Sequence, residues 1–265
     1  MRRLLWPSAL LDLPHALPLG PAQAHRVTHV WRMRAGDPLL LADGQGRVVQ
    51  GTLRWDAGEP WLESLTPVPV DAGAAEGPVT LVATLLKGPR WDWLLEKAAE
   101  LGAHQVQPVW TERTVVRLKP PEIAERTARW QRICDAATEQ CRGPWRTLVL
   151  PAVPLHAWLD TWRGGTMTRP AWGDPEPAAP PLPDDPAPPL LLWGDEENPL
   201  APWPPLTADQ PLWVLTGPEG GWSDTERRAL QALPDAATAG LGPRTLRAET
   251  AALALLVSAG RARRA

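Results

Sequence analysis

The chain has no phenylalanine and no tyrosine, yet it carries 16 tryptophans among 265 residues. Asparagine occurs only at Asn198, and isoleucine only at Ile123 and Ile133. GC-rich coding and deliberate redesign would each deplete these residues together. Trp is larger than Phe, so a dense core built on it needs small neighbours, which the many alanines can supply. Cysteine is scarce as well. Cys134 and Cys141 lie in one expected helix, about 10 Å apart along its axis and beyond disulfide reach, so both are expected reduced and half-buried. No Cys-x-x-Cys or Cys/His cluster is present, and no metal is expected. No apolar run is long enough to span a membrane, so no membrane partner is expected either. The start, Met1-Arg-Arg-Leu-Leu-Trp-Pro7, is basic then apolar, but proline and Asp12 interrupt it before a signal-peptide core forms. A cytoplasmic protein is the simplest reading. Positive charge is not in excess: the formal net charge is −3 and the pI near 6.0. That argues against a strongly basic nucleic-acid coat and leaves room for a local patch.

The length suits one large domain or two modest ones. Residues 1–72 show short apolar runs separated by turns. Asp37 to Gly44 and Arg47 to Leu53 read as strands joined by the Asp43-Gly-Gln-Gly46 turn, with a short helix over His25 to Met33. Such spacing suggests a small barrel. A linker is expected at about 71–78, followed by a second domain over 77–265. There strands and helices alternate, which implies a parallel sheet and an α/β fold. Strands are expected over Val79 to Leu86, Val106 to Trp110, Leu190 to Trp193 and Leu212 to Leu215. Helices are expected over Trp91 to Leu101, Pro121 to Cys141 and Glu249 to Ala259. On the long helix, Trp130, Cys134, Ala137 and Cys141 form an apolar stripe, while Glu122 with Arg126 and Glu125 with Arg129 make i,i+4 pairs on the wet side. Arg169 to Pro189 reads as a proline-rich surface loop, and Arg261, Arg263 and Arg264 as a basic, disordered tail.

Two segments carry the chemistry. Val214-Leu-Thr-Gly-Pro-Glu-Gly-Gly-Trp-Ser223 and Gly240-Leu-Gly-Pro-Arg-Thr-Leu-Arg-Ala-Glu-Thr-Ala251 each contain a Gly/Pro-rich turn that opens a helix. In an α/β protein such turns leave backbone groups free for a ligand. The first is neither Gly-x-Gly-x-x-Gly nor a Walker A loop, and Glu219 would repel a pyrophosphate. A ligand neutral or cationic at its reactive centre fits better. Ser223-x-x-Glu226 reads as a capping box. No Gly-x-Ser-x-Gly elbow appears, which excludes the usual α/β hydrolase.

Gly217-Pro-Glu-Gly-Gly221 and Leu241-Gly-Pro-Arg-Thr-Leu-Arg-Ala-Glu-Thr250 resemble the C-terminal signatures of the bacterial 16S ribosomal RNA uridine-N3 methyltransferases, the RsmE family of the SPOUT superfamily. Further matches follow in order: His29-Val-Trp-Arg-Met-Arg-Ala-Gly-Asp37 with Asp43-Gly44, Lys87-Gly-Pro-Arg-Trp-Asp-Trp93 through Lys97-Ala-Ala-Glu-Leu-Gly102, Glu112-Arg-Thr-Val-Val116, and Glu139-Gln-Cys141. The resemblance implies a PUA-like N-terminal barrel, a SPOUT domain with a trefoil knot, and a homodimer. It implies S-adenosylmethionine as cofactor and 16S rRNA of the small ribosomal subunit as substrate. Where the family has Cys-Gly-Arg, this chain has Cys141-Arg142-Gly143, and the residue after Gly-Gly is Trp222.

The resemblance places the cofactor against Gly194, Glu196, Thr216, Gly217, Pro218, Glu219, Gly220, Gly221, Leu241, Gly242, Pro243 and Leu246. Arg247 is the candidate for stabilising charge on the reacting base, and Glu249 either accepts its proton or orients Arg247. A structural ion pair between Arg247 and Glu249 is the competing reading. Arg32, Arg34, Lys87 and Arg90 are candidates for RNA phosphates. Trp222 is either a base-stacking platform or a core residue. Another SPOUT methyltransferase, or a non-catalytic RNA-binding or ribosome-assembly protein, are the alternative functions.

Overall fold

The computed structural model describes residues 1–6, 16–70, 78–164 and 188–263. Residues 71–77 of the expected linker, Arg169 to Ala187 of the proline-rich loop, Asp12 and Arg264 lie outside the described residues. The chain divides into two compact units. One comprises Met1–Ala74 with Thr138–Arg146, the other Ala75–Ala137 with Thr147–Ala265.

The first unit is built from β1 (Arg2–Leu5), β2 (Ala16–Pro18), α1 (Pro21–His25), β3 (Pro38–Ala42), β4 (Val48–Asp56) and β5 (Glu59–Val68). Its strands form one sheet in the order β1-β3-β4-β5-β2, antiparallel except for β1 beside β3. The expected helix starts earlier, because Pro21 suits a first turn, and it continues as one π turn over Arg26–Val30. Leu4, Leu39, Leu41, Val49, Leu53 and Leu62 fill the core with Val27 from the π turn. Gly46, at φ +87°, turns beneath the Trp145 ring, where any Cβ would overlap the indole.

The second unit comprises β6 (Val79–Thr84), α2 (Pro89–Glu100), β7 (Gln105–Trp110), most of α3 (Pro120–Cys141), β8 (Leu148–Val149), β9 (Val153–Pro154), α4 (Leu155–Arg163), β10 (Leu190–Trp193), β11 (Leu212–Thr216), α5 (Asp224–Gln231), β12 (Ala236–Thr238) and α6 (Ala248–Ala262). All its strands pair in parallel, in the order β12-β10-β11-β6-β7-β8, with β9 also on β7. Runs such as Leu190-Leu-Leu-Trp193 are apolar throughout because both faces are covered. The strand period of two sorts the side chains: Leu81, Ala83, Leu212 and Val214 face α2, α3 and α6, whereas Val82, Trp213 and Leu215 face α4 and α5. α2 ends in a Schellman motif, with Ala103 N–H on Ala98 O at 2.9 Å, Gly102 N–H on Ala99 O at 3.1 Å, and Gly102 at φ +80°.

Tryptophan takes the large core positions. Trp158, Trp162 and Trp213 form a triangle with ring centroids 5.6, 6.0 and 5.9 Å apart. Alanines 83, 98, 99, 103, 137, 152, 239, 252 and 259 line the opposite face, in the cluster that holds the Trp91 and Trp130 indoles. The indole N–H groups of Trp91 and Trp158 are buried without a hydrogen-bond partner among the described residues. Each unsatisfied donor costs about 1–3 kcal/mol, a cost that phenylalanine would not incur.

Four expectations are corrected. Arg129 does not pair with Glu125: its guanidinium grips Asp92 of α2 through two bonds of 2.8 and 2.5 Å. Glu122 does not hold Arg126 but accepts the Lys119 N–H at 2.9 Å, ahead of the helix. A bidentate fork and an orphan helix-start N–H are stronger claims on these side chains than exposed i,i+4 pairing. Cys134 is fully buried and Cys141 exposed, so neither is half-buried, because the stripe runs out at the last turn of α3. Arg263 is buried rather than disordered, its Nη2 donating to the carbonyls of Pro78 (3.3 Å) and Gln210.

Arg142, directly after α3, adopts φ +60°. This is the left-handed position that ends helices, and glycine occupies it without a Cβ clash. Arg142→Gly is expected to raise stability by about 1 kcal/mol and the Tm by roughly 2–4 °C, measured by thermal unfolding. A lower Tm would show that the Arg142 side chain contributes more than its backbone strain costs.

Candidate active site

β12, β10 and β11 are neighbours in the sheet, so the loops leaving their C-terminal ends lie side by side. Those are the loops over 194–201, 216–222 and 240–247. Gly240 and Gly242 donate to the carbonyls of Ala201 and Pro199, both at 3.0 Å, and tie the first loop to the third. The middle loop closes with Gly221 N–H on Pro218 O at 3.0 Å, with Gly221 at φ +68°. It then enters α5 through the expected capping box: Glu226 N–H bonds Ser223 Oγ at 3.2 Å, and Ser223 N–H bonds Glu226 Oε2 at 3.0 Å. The second Glu226 oxygen accepts the Glu112 N–H at 2.8 Å, which fixes the loop after β7 as well.

Between these loops lies a cavity of about 250 Å³. Eleven of the twelve cofactor candidates line it: Gly194, Glu196, Thr216, Gly217, Pro218, Glu219, Gly221, Leu241, Gly242, Pro243 and Leu246. Gly220 does not; its carbonyl accepts from Arg113 at 2.9 Å on the outer side of the turn. Pro199, Ala239, Ala248 and Ala251 also line the cavity and were not among the cofactor candidates, although the last two fall within the Gly240–Ala251 segment. Ala248 and Ala251, one helical turn apart at the start of α6, carried a periodicity signal that could have found them.

The cavity continues outward. A second cleft, of about 540 Å³, is lined by Arg90, Glu219, Leu246, Arg247 and Ala248. A third, of about 370 Å³, is lined by Pro89, Arg90, Trp93, Arg247, Glu249 and Thr250. Shared residues join the three into one path from the loops to the starts of α2 and α6. Arg247 is the exposed N-cap of α6, and Glu249 is a buried residue in that helix's first turn. Glu249 Oε2 has no hydrogen-bond partner, and the two residues form no ion pair with each other among the described residues. A cation at a helix N-terminus is electrostatically unfavourable. Both observations point away from a structural ion pair.

The other candidates are scattered. Arg90 is paired with Glu219, so its charge is already engaged across the path. Lys87 is exposed on the loop after β6. Arg32, at φ +51°, and Arg34 are exposed residues of the first unit. Trp222 is 1 % exposed, packs against Trp193 and donates its indole N–H to Gly194 O at 2.8 Å. It is a core residue rather than a stacking platform, because its one polar atom is needed to hold the first loop. Burial pushes the His104 imidazole down to about 4, keeping it neutral at pH 7. It precedes β7, at the opposite end of the parallel strands from the cavity. Among the described residues no group of three or more His, Cys, Asp or Glu is placed to hold a metal, and no helix is long and apolar enough to cross a membrane.

Comparison with known proteins places this geometry. The RNA methyltransferase domain model matches residues 74–259. The ribosomal RNA small subunit methyltransferase E of Synechocystis is 31% identical over 235 residues, covering 88% of this chain and 69% of that protein. The Bacillus subtilis protein of the same name is 25% identical, covering 87% and 84%. The crystal structure of the Neisseria gonorrhoeae enzyme bound to S-adenosyl methionine superposes with a TM-score of 0.76 at 27% identity, over 97% of this chain and 96% of that one. The α/β architecture is therefore shared along the whole chain, and the protein belongs to the ribosomal RNA small subunit methyltransferase E (RsmE) family of RNA methyltransferases.

Proposed function

We propose that the chain transfers a methyl group from S-adenosylmethionine to N3 of a uridine in 16S rRNA of the small ribosomal subunit. The observation that carries this reading is the three-loop cavity opening onto Arg247 and Glu249. Its walls fit the cofactor. Gly194 and Gly242 line it, and a Cβ at either would meet no atom within 4 Å, so a side chain there would project into free space. Leu241 and Leu246 offer apolar faces to an adenine. Bound there, the cofactor supplies an electrophilic methyl group.

Uracil N3 is an imide N–H and a weak nucleophile until it loses its proton. Arg247 keeps its charge at any working pH, so it stabilises the charge that spreads onto O2 and O4 and is no base. Glu249, which lines the outer cleft, accepts the N3 proton and so leaves the nitrogen lone pair available for alkylation. Arg32, Arg34, Lys87 and Arg90 are proposed phosphate contacts, Arg90 after release from Glu219. Residues 1–72 are proposed as a PUA-like RNA-binding domain, and 77–265 as a SPOUT domain. The knot is proposed for the chain from β10 to α6, where the order β12-β10-β11 and the Gly240 and Gly242 bonds bring late chain back over early chain. A cytoplasmic homodimer completes the reading, supported by Trp93, 45 % exposed beside Arg247.

The test is calorimetric titration with S-adenosylmethionine, followed by methylation of small-subunit particles lacking the mark and mass analysis of the nucleosides. N3-methyluridine is expected. A methyl group on another atom or base would replace the N3 assignment, and no cofactor binding by folded protein would overturn the enzyme reading.

A further inference from the structure

α5 turns a charged residue inward. The Arg227 side chain is only 10 % exposed, and its guanidinium meets three consecutive carboxylates of the loop after β10. Nε donates to Asp195 Oδ1 at 3.2 Å, Nη2 to Glu196 Oε1 at 2.8 Å, and Nη1 pairs with Glu197. Without a cation, three adjacent acids would repel one another. Asp195, 5 % exposed, would also be a buried charge with no counter-ion.

The contact reaches a second wall. Glu196 Oε1 also accepts the Trp222 N–H at 3.2 Å, and it lies so close over Gly221 that a Cβ there would overlap it. Asp195 Oδ1 in turn accepts the Glu197 N–H at 3.1 Å. One guanidinium thus fixes two carboxylates, and through them the backbone of both the 194–197 and 221–222 segments. Asp195, Glu196 and Gly221 line the cavity, whereas Arg227 stands behind them and does not.

We infer that Arg227 is a positioning residue: from behind the wall it locks the Asp195–Glu197 loop to the Gly221–Trp222 turn, so that the cavity is formed before its ligand arrives. The identity of that ligand, S-adenosylmethionine, rests on the proposed function; the lock does not. A lysine keeps the charge but lacks the planar fork needed to serve three acceptors. If the free loop is competent only a few per cent of the time, apparent affinity falls by the same factor.

The experiment compares the full-length protein with Arg227→Lys and Arg227→Met. Hydrogen exchange without ligand reads the lock directly: the Glu197 and Trp222 amides are expected to exchange at least about 10-fold faster in Arg227→Met, with β6 and β7 amides unchanged. S-adenosylmethionine Kd and KM are expected to rise roughly 30-fold in Arg227→Met and about 5-fold in Arg227→Lys, with kcat at saturating cofactor within about threefold. Unchanged exchange at the two amides overturns the inference, as does faster exchange with unaltered affinity. If Arg227→Met fails to fold, the same readings on Arg227→Lys decide. Wild-type protein that binds no S-adenosylmethionine refutes the cofactor reading alone, and the exchange result then decides the lock by itself.

Discussion

Replacing Arg247 with alanine is expected to lower the methyl-transfer rate about 10²–10³-fold, the loss found when one preorganised donor to a developing anion is removed. S-adenosylmethionine affinity is expected to stay within about twofold. The geometry separates the two effects. Leu246 and Ala248 line the inner cavity, but Arg247 between them belongs only to the two outer clefts, with Arg90, Trp93 and Glu249. Its side chain is exposed and has no ion-pair partner among the described residues, so truncation removes little packing. It also removes a cation from a helix N-terminus, which stabilises α6 by a few tenths of a kcal/mol. The Tm should therefore hold or rise slightly while turnover collapses. Single-turnover kinetics with saturating cofactor, beside a calorimetric titration, separates the readings. Parallel loss of rate and cofactor affinity would make Arg247 a binding residue and sink its catalytic role.

The two signature loops were legible because their information is local. Gly217-Pro-Glu-Gly-Gly221 and Ser223-x-x-Glu226 encode a turn and a helix start within a few residues, and the structure forms both there. Apolar strand runs and the helix from Trp91, which buries Trp91, Leu94, Leu95 and Ala98, were legible for the same reason. Long-range pairing was not. Arg227 finds Glu196 31 positions upstream, and Arg129 finds Asp92 37 positions away, in preference to a glutamate one turn off. No periodicity reports which distant carboxylate a guanidinium will choose, since that depends on which loops the sheet order brings together. Trp222 shows a different limit. Its sequence position suits either a stacking platform or a core residue, and its burial and the 2.8 Å bond to Gly194 O identify the inward orientation. Arg263 looked like part of a loose tail because the two carbonyls it serves belong to residues far from it in sequence.

Gly240→Ala is expected to abolish measurable S-adenosylmethionine binding, raising Kd at least about 100-fold, and to destabilise the fold by about 3 kcal/mol. Gly240 needs no unusual φ; what it needs is space. A Cβ there would stand 2.6 Å from Ala201 O, 2.7 Å from Ala201 N and 2.7 Å from Pro199 O. All three are backbone atoms, so no rotamer change relieves the clash, and the 199–201 and 240–242 segments must separate. That breaks the Gly240 N–H bond to Ala201 O and the Gly242 N–H bond to Pro199 O, both 3.0 Å, and disturbs the Trp203 indole bond to Gly240 O at 2.9 Å. Pro199 and Gly242 both line the cavity, so the wall opens where the ligand must be gripped. A loss of about 3 kcal/mol in a chain of this size lowers the Tm by roughly 6–12 °C. Gly102→Ala, at the end of α2, is the control. Its Cβ would meet nothing within 4 Å, but its φ of +80° is strained for any side chain, so it should lose stability without touching the cavity loops. If Gly240→Ala binds the cofactor as tightly as wild type, the contact between the first and third loops is not what shapes the cavity. The site would then have to be rebuilt around the 216–222 turn alone.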